Sequence, residues 1–454
     1  MLRMPPAIAR CHEVRSRKVG CLSLSVGGPR TVLGSALAVL LLVGLIGGCP
    51  SVQDSSAGSA TPVYRNTTDP LNAGAQYVGS AACAACHADI AARAQRHGHA
   101  HALVAPNGTA PVYPVAATRA GVPAPPAAKN WEDISYVIGG YTLGALFVDA
   151  QGYVMTNGVD GVDTQWNLAF PPTGRTAAFA AYKPERTTPL PFDYSCFRCH
   201  TTGPVARTDE RPETQDGRPG IGGTWAEAGV QCEACHGPGS LHLPRPAARN
   251  LFVDPTASTC ARCHTEGDDP NVIVAINGYI HPNTQYAELR ASGGHARFTC
   301  GTCHDPHASA VYDRFRGIRN ACTVCHVEAN MAAHQGVVFV RGEYREPLTC
   351  ESCHMPFAGL SQAAAGPEIV GKTGRMGDVR SHIFRIAARD AAYTDMFSAD
   401  GSLVVTDDQG RAAVTVDFVC LRCHTDDTAV PNSAFYLPAD LAWQIASGLH
   451  RLPQ

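Results

Sequence analysis

Lysine is nearly missing from this chain. Lys18, Lys129, Lys183 and Lys372 are the only four in 454 residues. Charged residues of all kinds reach 17% and aromatic ones 7%. No basic run exists beyond the first thirty positions, which argues against a nucleic-acid surface, because phosphate recognition needs clustered Lys and Arg. There is no collagen triplet, no sustained heptad and no succession of long apolar runs, so fibrous, coiled-coil and polytopic membrane classes fall away. The 44 glycines and 33 prolines stay below the roughly 25–30% that marks low-complexity disorder. What is abundant is cysteine and histidine, 19 of each. Cysteine at that density needs a disulfide, a metal or a cofactor to explain it. The length suggests two to four domains at roughly 100–200 residues each.

The first segment reads as an export signal. Arg3, Arg10, Arg15, Arg17, Lys18 and Arg30 face a single acid, Glu13, and an apolar run follows from Thr31 to Gly48. A basic region, an apolar stretch and small residues before Cys49 resemble a bacterial lipobox, with Cys49 as the lipidated first residue. An uncleaved anchor, at the short edge of spanning length, and simple secretion are the alternatives. All three place residues 50–454 outside the cytoplasm, in the periplasm or on the cell surface, and the first two attach the chain to a membrane. Without residues 1–48 the net charge moves from −3 to about −8. Residues 49–75, rich in Ser, Ala, Thr, Asn and Gly, read as a flexible tether.

Apart from Cys11, Cys21 and Cys49, all in or at the end of the signal, the other sixteen cysteines fall into one motif, eight times. Cys83-Ala-Ala-Cys86-His87 is followed by Cys196/Cys199/His200, Cys232/Cys235/His236, Cys260/Cys263/His264, Cys300/Cys303/His304, Cys322/Cys325/His326, Cys350/Cys353/His354 and Cys420/Cys423/His424. Two thiols three positions apart on one helical turn can add across the two vinyl groups of one haem. The next residue then aims its imidazole at the iron. Zinc explains Cys-x-x-Cys pairs but neither the adjacent His in all eight nor the export signal. A disulfide within Cys-x-x-Cys closes too short a loop to constrain much. Eight covalently attached c-type haems are expected.

Eight irons need eight sixth ligands. Outside the motifs and His12, the chain holds His97, His99, His101, His242, His281, His295, His307, His334, His382 and His450. His242 and His307 closely follow motifs, in Cys-His-Gly-Pro-Gly-Ser-Leu-His242 and Cys-His304-Asp-Pro-His307. With His295, His334 and His382 they are the stronger axial candidates. One of the cluster His97, His99 and His101 is expected to ligate, the others being spare, and His281 and His450 are open either way. Met155, Met331, Met355, Met376 and Met396 are possible but unneeded. There is no Cys-x-x-Cys-Lys variant, so nothing marks out a lysine-ligated catalytic haem. Full bis-histidine ligation leaves an iron able to pass electrons but without a substrate position.

Spacing divides the chain. Residues 76–182 hold the first haem and a β-rich insert, 183–360 haems two to seven, and 361–454 a C-terminal region with the eighth. About 30 residues per haem cannot wrap each macrocycle separately, which presses neighbouring haems together. The expected class is mainly α with much irregular coil, a multihaem array with small β-hairpin or meander inserts. Ile134–Ile138, Tyr141–Asp149 and Tyr153–Thr156 form a predicted meander. Leu403–Thr406 and Ala412–Phe418 form a predicted hairpin around Asp407-Asp408-Gln409-Gly410.

Several local patterns resemble a known superfamily. Tyr77-Val78-Gly79-Ser80 before the first motif, His97-Gly98-His99 after it, Gly229-Val230-Gln231-Cys232-Glu233-Ala234-Cys235-His236-Gly237-Pro238-Gly239, Cys303-His304-Asp305-Pro306-His307 and Cys353-His354-Met355-Pro356 are similar to multihaem c-type cytochromes related to the tetrahaem carrier that serves hydroxylamine oxidoreductase. The resemblance implies a mostly α, haem-packed fold with partly stacked haems and distal histidines. It is weak on substrate, since the superfamily mixes carriers with octahaem enzymes acting on hydroxylamine, nitrite or tetrathionate.

The expected function is that of an exported octahaem electron carrier, more a conduit than a catalyst. Its partners would be other cytochromes or a quinol-linked donor, with a lipid anchor in the membrane and no nucleic acid. The alternatives are an octahaem oxidoreductase for a small nitrogen or sulfur compound, and a subunit of a cytochrome wire or outer-membrane conduit.

Overall fold

The computed structural model describes residues 74–449 apart from 115–120, 248–250, 362–367, 371–372, 389–390, 427–434 and 447. The expected signal, Cys49, nearly all of the tether, and His450 lie outside the described residues. Among the described residues no helix is long and apolar enough to cross a membrane.

The insert after the first motif folds as the largest sheet. Its strands are β1 (Leu103–Val104), β2 (Ile134–Gly139), β3 (Gly144–Asp149), β4 (Tyr153–Val154), β5 (Gln165–Asn167), β6 (Ala178–Ala180) and β7 (Leu190–Pro191). The order runs β1-β2-β3-β4-β7, with β5 also on β3 and β6 on β5, all antiparallel. The predicted meander is β2 to β4, and it is the centre of a wider sheet than the sequence suggested. Strands β5 to β7 are two or three residues long, too short to leave a periodic signal.

Both faces of this sheet are covered, as period-two alternation in β3 shows. Ala145 and Phe147 join Val137, Ile134 and Met155 in one core, while Val148 joins Tyr136, Ile138, Phe192, Phe197, Ile221 and Trp225 in another. A register shift between Ile134 and Tyr136 reverses the parity of β2, which is why Ile134 and Val137 share a face. The turn between β2 and β3 needs glycine: Gly139 sits at φ 79°, and a Cβ there would lie 2.6 Å from the Gly144 carbonyl oxygen. The second core also takes in Cys196 of the second motif, so the sheet is the wall against which that motif rests. Phe147→Ala, at a side chain with no exposed surface, is expected to cost about 3–5 kcal/mol. The thermal midpoint should fall while the haem absorption at low temperature stays unchanged.

Outside the sheet, short helices, 3-10 turns and two-stranded ladders are joined by coil. The longest described helix, Ala439–Ala446, has eight residues. The expected irregular coil and short helices are present, but among the described residues strands contribute more than a mainly α class implies. With so little chain between motifs, no element has room to grow.

The predicted hairpin at residues 403–418 does not form. Its turn does: the Asp407 carboxylate accepts from the backbone N–H groups of Gln409 and Arg411. The two arms pair elsewhere. Val404 bridges Phe397, and Val414–Thr415 runs parallel to Ile386–Ala387. The physical reason is burial. Val414 to Val419 are buried without interruption, so this segment has no solvent face and enters a core with Tyr279, Ile280, Ile383 and Met396. It then closes into the helix Val416–Val419, which leads directly into Cys420.

Candidate haem-binding sites

Each motif is a single helical turn. The backbone N–H of His87, His264, His304, His326 and His424 bonds the carbonyl of the first cysteine of its own motif at 2.9 Å. The motifs at 196–200, 232–236 and 350–354 lie inside short helices. These turns start where side chains cap them: Asp193 accepts from Ser195 N–H, and Thr299 and Thr349 form capping boxes with Thr302 and Ser352. All sixteen motif cysteines are free, as thioether formation requires.

The proximal imidazoles are oriented from behind. Nδ1 of His200 donates to Ala102 O (2.9 Å), of His236 to Phe252 O (2.7 Å), of His264 to Gln285 Oε1 (2.9 Å), of His354 to Phe384 O (2.8 Å) and of His424 to Phe435 O (2.7 Å). Each bond fixes the tautomer and leaves Nε2 as the metal-facing nitrogen.

Six motif histidines face a second imidazole across a uniform gap. His87 and His242 have ring centroids 6.5 Å apart, His236 and His307 6.1 Å, His264 and His99 6.1 Å, His304 and His382 6.1 Å, His326 and His295 5.8 Å, and His424 and His334 5.9 Å. Two metal–imidazole bonds of about 2 Å each, plus the distance from nitrogen to ring centre on both sides, give a separation of about 6 Å. The residues present therefore fit an iron held between each pair. Burial pushes His382 down to about 3 and holds His99 well below its ordinary value, so both imidazoles are neutral, the form that binds metal.

The other sequence candidates separate clearly. His97 stacks on His99 at 4.3 Å and its Nδ1 accepts from the His99 N–H. His101 has its Nε2 bonded to Gln95 O at 2.8 Å and its ring between Tyr113 and Tyr141. Of this cluster only His99 faces a motif histidine. His281 is buried, with Nδ1 3.7 Å from Glu266. Among the described residues no imidazole faces His200.

The recurrent patterns around the motifs turn out to be fasteners. Glu233, inside the third motif and 2% exposed, accepts from the backbone N–H of Val78, Gly79 and Gly239. It thereby ties the approach to motif one against the exit of motif three. Val230 N–H bonds His99 O, and Gln231 Nε2 bonds Ala100 O, which seats the turn carrying His99. Asp305 accepts from both the backbone N–H and Nδ1 of His307, aiming that ring. Sequence reasoning missed Gln285, which lies in no motif.

The thiols also report which motifs are neighbours. Cys83 is within hydrogen-bonding reach of Cys232, Cys199 of Cys263, and Cys260 of Cys300. Cys235 and Cys260, Cys303 and Cys325, Cys322 and Cys350, and Cys353 and Cys420 are close enough to feel each other's charge. The motifs thus follow one another in space as one, three, four, five, six, seven, eight, with motif two beside motif four.

Parts of the chain, and its fold, are similar to known multihaem cytochromes. Residues 176–237, which contain motifs two and three, match the family described as cytochrome c554 and c-prime. The chain is 31% identical over 187 residues to the C-type polyheme cytochrome OmcB of Geobacter sulfurreducens, covering 39% of this chain and 22% of OmcB. It is 26% identical over 157 residues to the multiheme cytochrome MtrA of Shewanella baltica, covering 32% of this chain and 41% of MtrA. The chain therefore spans less than half the length of these curated relatives. Its fold is similar to that of the octaheme sulfite reductase MccA of Wolinella succinogenes, with TM-score 0.57, 16% identity, and coverage of 86% of this chain and 72% of that one. Motifs, fold and relatives together define a multihaem c-type cytochrome. Haem c is its cofactor.

Proposed function

We propose that the protein carries eight haems and moves electrons along them between redox partners outside the cytoplasm, the chain being held at the membrane through Cys49. The observation that carries this reading is the set of six facing imidazole pairs at 5.8–6.5 Å. Six-coordinate bis-histidine iron changes oxidation state with little ligand rearrangement, and it offers no position to a substrate. The distal ligands are then His242, His307, His99, His382, His295 and His334, for haems one, three, four, five, six and eight in that order. His281 and His450 are the remaining candidates for haems two and seven. Electrons would travel the spatial sequence of the motifs, with haem two as a branch at haem four.

A second reading has one observation in its favour. No described imidazole faces His200, and the fold is similar to that of an octaheme sulfite reductase. If the second iron is five-coordinate, it is the place where sulfite would bind. Low-temperature EPR of the oxidised holoprotein, with haems counted by mass, separates the two. The expected carrier has eight haems, at least six of them low-spin, and a spectrum unmoved by sulfite. A high-spin signal that sulfite converts or broadens would make the protein an enzyme at haem two. Fewer than six low-spin haems would sink the conduit reading itself.

A further inference from the structure

Between motifs seven and eight lies an ion cluster, buried at Arg422 and Glu346 and partly exposed at Arg380, that the facing imidazoles do not explain. Arg422 occupies a position between the two cysteines of motif eight and is 1% exposed. Its guanidinium bonds both oxygens of Glu346, at 3.0 and 3.2 Å, and the backbone oxygen of Ser352 inside motif seven at 3.1 Å. Glu346 is itself 6% exposed. Its carboxylate is shared with a second guanidinium, Arg380, at 3.4 Å, and accepts from Ser352 Oγ and Tyr344 Oη. Arg380 in turn bonds the carbonyls of Glu351 and Met355, at either end of motif seven.

Two cations therefore share one anion between adjacent haem-bearing turns. Among the described side chains, the other nearby acids do not restore the balance. Glu351 is engaged by Arg314, and Asp378 by Arg175. Asp417 is buried, and burial pushes its carboxyl up, toward the neutral form. Phe339 and Phe357 lie near the two guanidiniums and keep the surroundings apolar.

We propose that the Arg422–Glu346–Arg380 cluster is a positioning element that sets haems seven and eight at the high-potential end of the array. The inference rests on the conduit reading above, since it assumes haem on both motifs. Reduction of ferric haem adds one negative charge, and an incompletely compensated guanidinium in a low-dielectric setting stabilises that charge. Because Arg422 reaches from one motif into the other, it acts on both irons. Electrons entering elsewhere would collect at this end before leaving for an acceptor.

The test is a spectroelectrochemical titration of the intact holoprotein with three variants. In the wild type, two components should titrate at the top of the potential range. Arg422→Gln should lower those two, by about a tenfold change in the oxidised-to-reduced ratio at fixed potential, or about 59 mV for one electron. Glu346→Gln should raise the same two, and Arg422→Lys should leave them near the wild-type value. Opposite signs from the two charge deletions support the proposal, because loosened packing would move both variants in one direction. Shifts of the same sign, no shift, or shifts in components other than the top two overturn it. If Arg422→Gln does not fold, Glu346→Gln and Arg422→Lys still decide the sign. Failure of the underlying reading shows separately, as a wild-type haem count below eight.

Discussion

His307→Ala is expected to convert one haem from low-spin to high-spin and to remove one rhombic signal from the EPR spectrum of the oxidised protein. His334→Ala should instead remove the most anisotropic low-spin signal. The difference follows from ring geometry. His236 and His307 lie with their planes 6° apart, whereas His424 and His334 are at 87°. Parallel imidazoles donate π density into the same iron d orbital and split it from its partner, which quenches orbital angular momentum and gives a rhombic spectrum. Perpendicular imidazoles raise both orbitals equally, leave them nearly degenerate, and give a large anisotropy. Asp305 makes the parallel case rigid by holding His307 at two points. Asp305→Ala should therefore keep the haem low-spin but broaden its rhombic signal. If the two histidine variants lost the same signal, or neither gained a high-spin one, the pairing of distal ligands would be wrong.

The two kinds of ligand differ in how far the sequence alone reveals them. The motif cysteines and their adjacent histidines are local chemistry, complete within five residues, so the sequence alone supplies them. The distal partners are not local. His99 faces a motif histidine more than 160 positions away, and His382, from the C-terminal region, faces His304 of motif five. Spacing narrowed the choice to ten histidines but could not pair them, because the pairing is set by how the turns stack. The meander was legible from its alternation and glycines. The 403–418 hairpin misled for the same reason, since a turn and two apolar runs look alike whether the runs pair with each other or with separate neighbours. Val414-Thr-Val-Asp-Phe-Val419 carries Thr415 and Asp417 among its apolar residues, the pattern of a strand with one solvent face, so nothing local signalled that all six would be buried.

The patterns that carry the resemblance to known cytochromes include residues whose part in the fold only contacts reveal. Glu233 stands in the third motif as one of its variable positions, yet it satisfies three backbone donors from two distant segments. Glu346 belongs to no pattern at all. It lies in the strand Tyr344–Pro347, reads as a surface acid, and becomes central only because Arg422 and Arg380 arrive from residues far along the chain.

Glu346→Ala is the substitution expected to damage stability most. It leaves Arg422 buried without a counter-charge, a situation that costs about 3–5 kcal/mol. Acid should imitate it in the native protein. Burial alone would push the Glu346 carboxyl up, but Arg422, Arg380 and the hydroxyl of Ser352 outweigh it and hold the group down at about 2, against an ordinary 4.5. A carboxylate depressed in the folded state contributes stability that is fully present above its unfolded value. That contribution is lost as the pH falls from about 4.5 through about 2, and here it amounts to about 3 kcal/mol. Denaturant midpoints measured across this window should therefore drop more steeply for the native protein than for Glu346→Gln, in which the titrating charge is absent. The two curves should converge at the acid end, where native Glu346 is protonated as well. Parallel curves would mean that the cluster is solvated enough to titrate at its ordinary value. In that case neither the stability assigned to Glu346 nor a raised potential at haems seven and eight could rest on it.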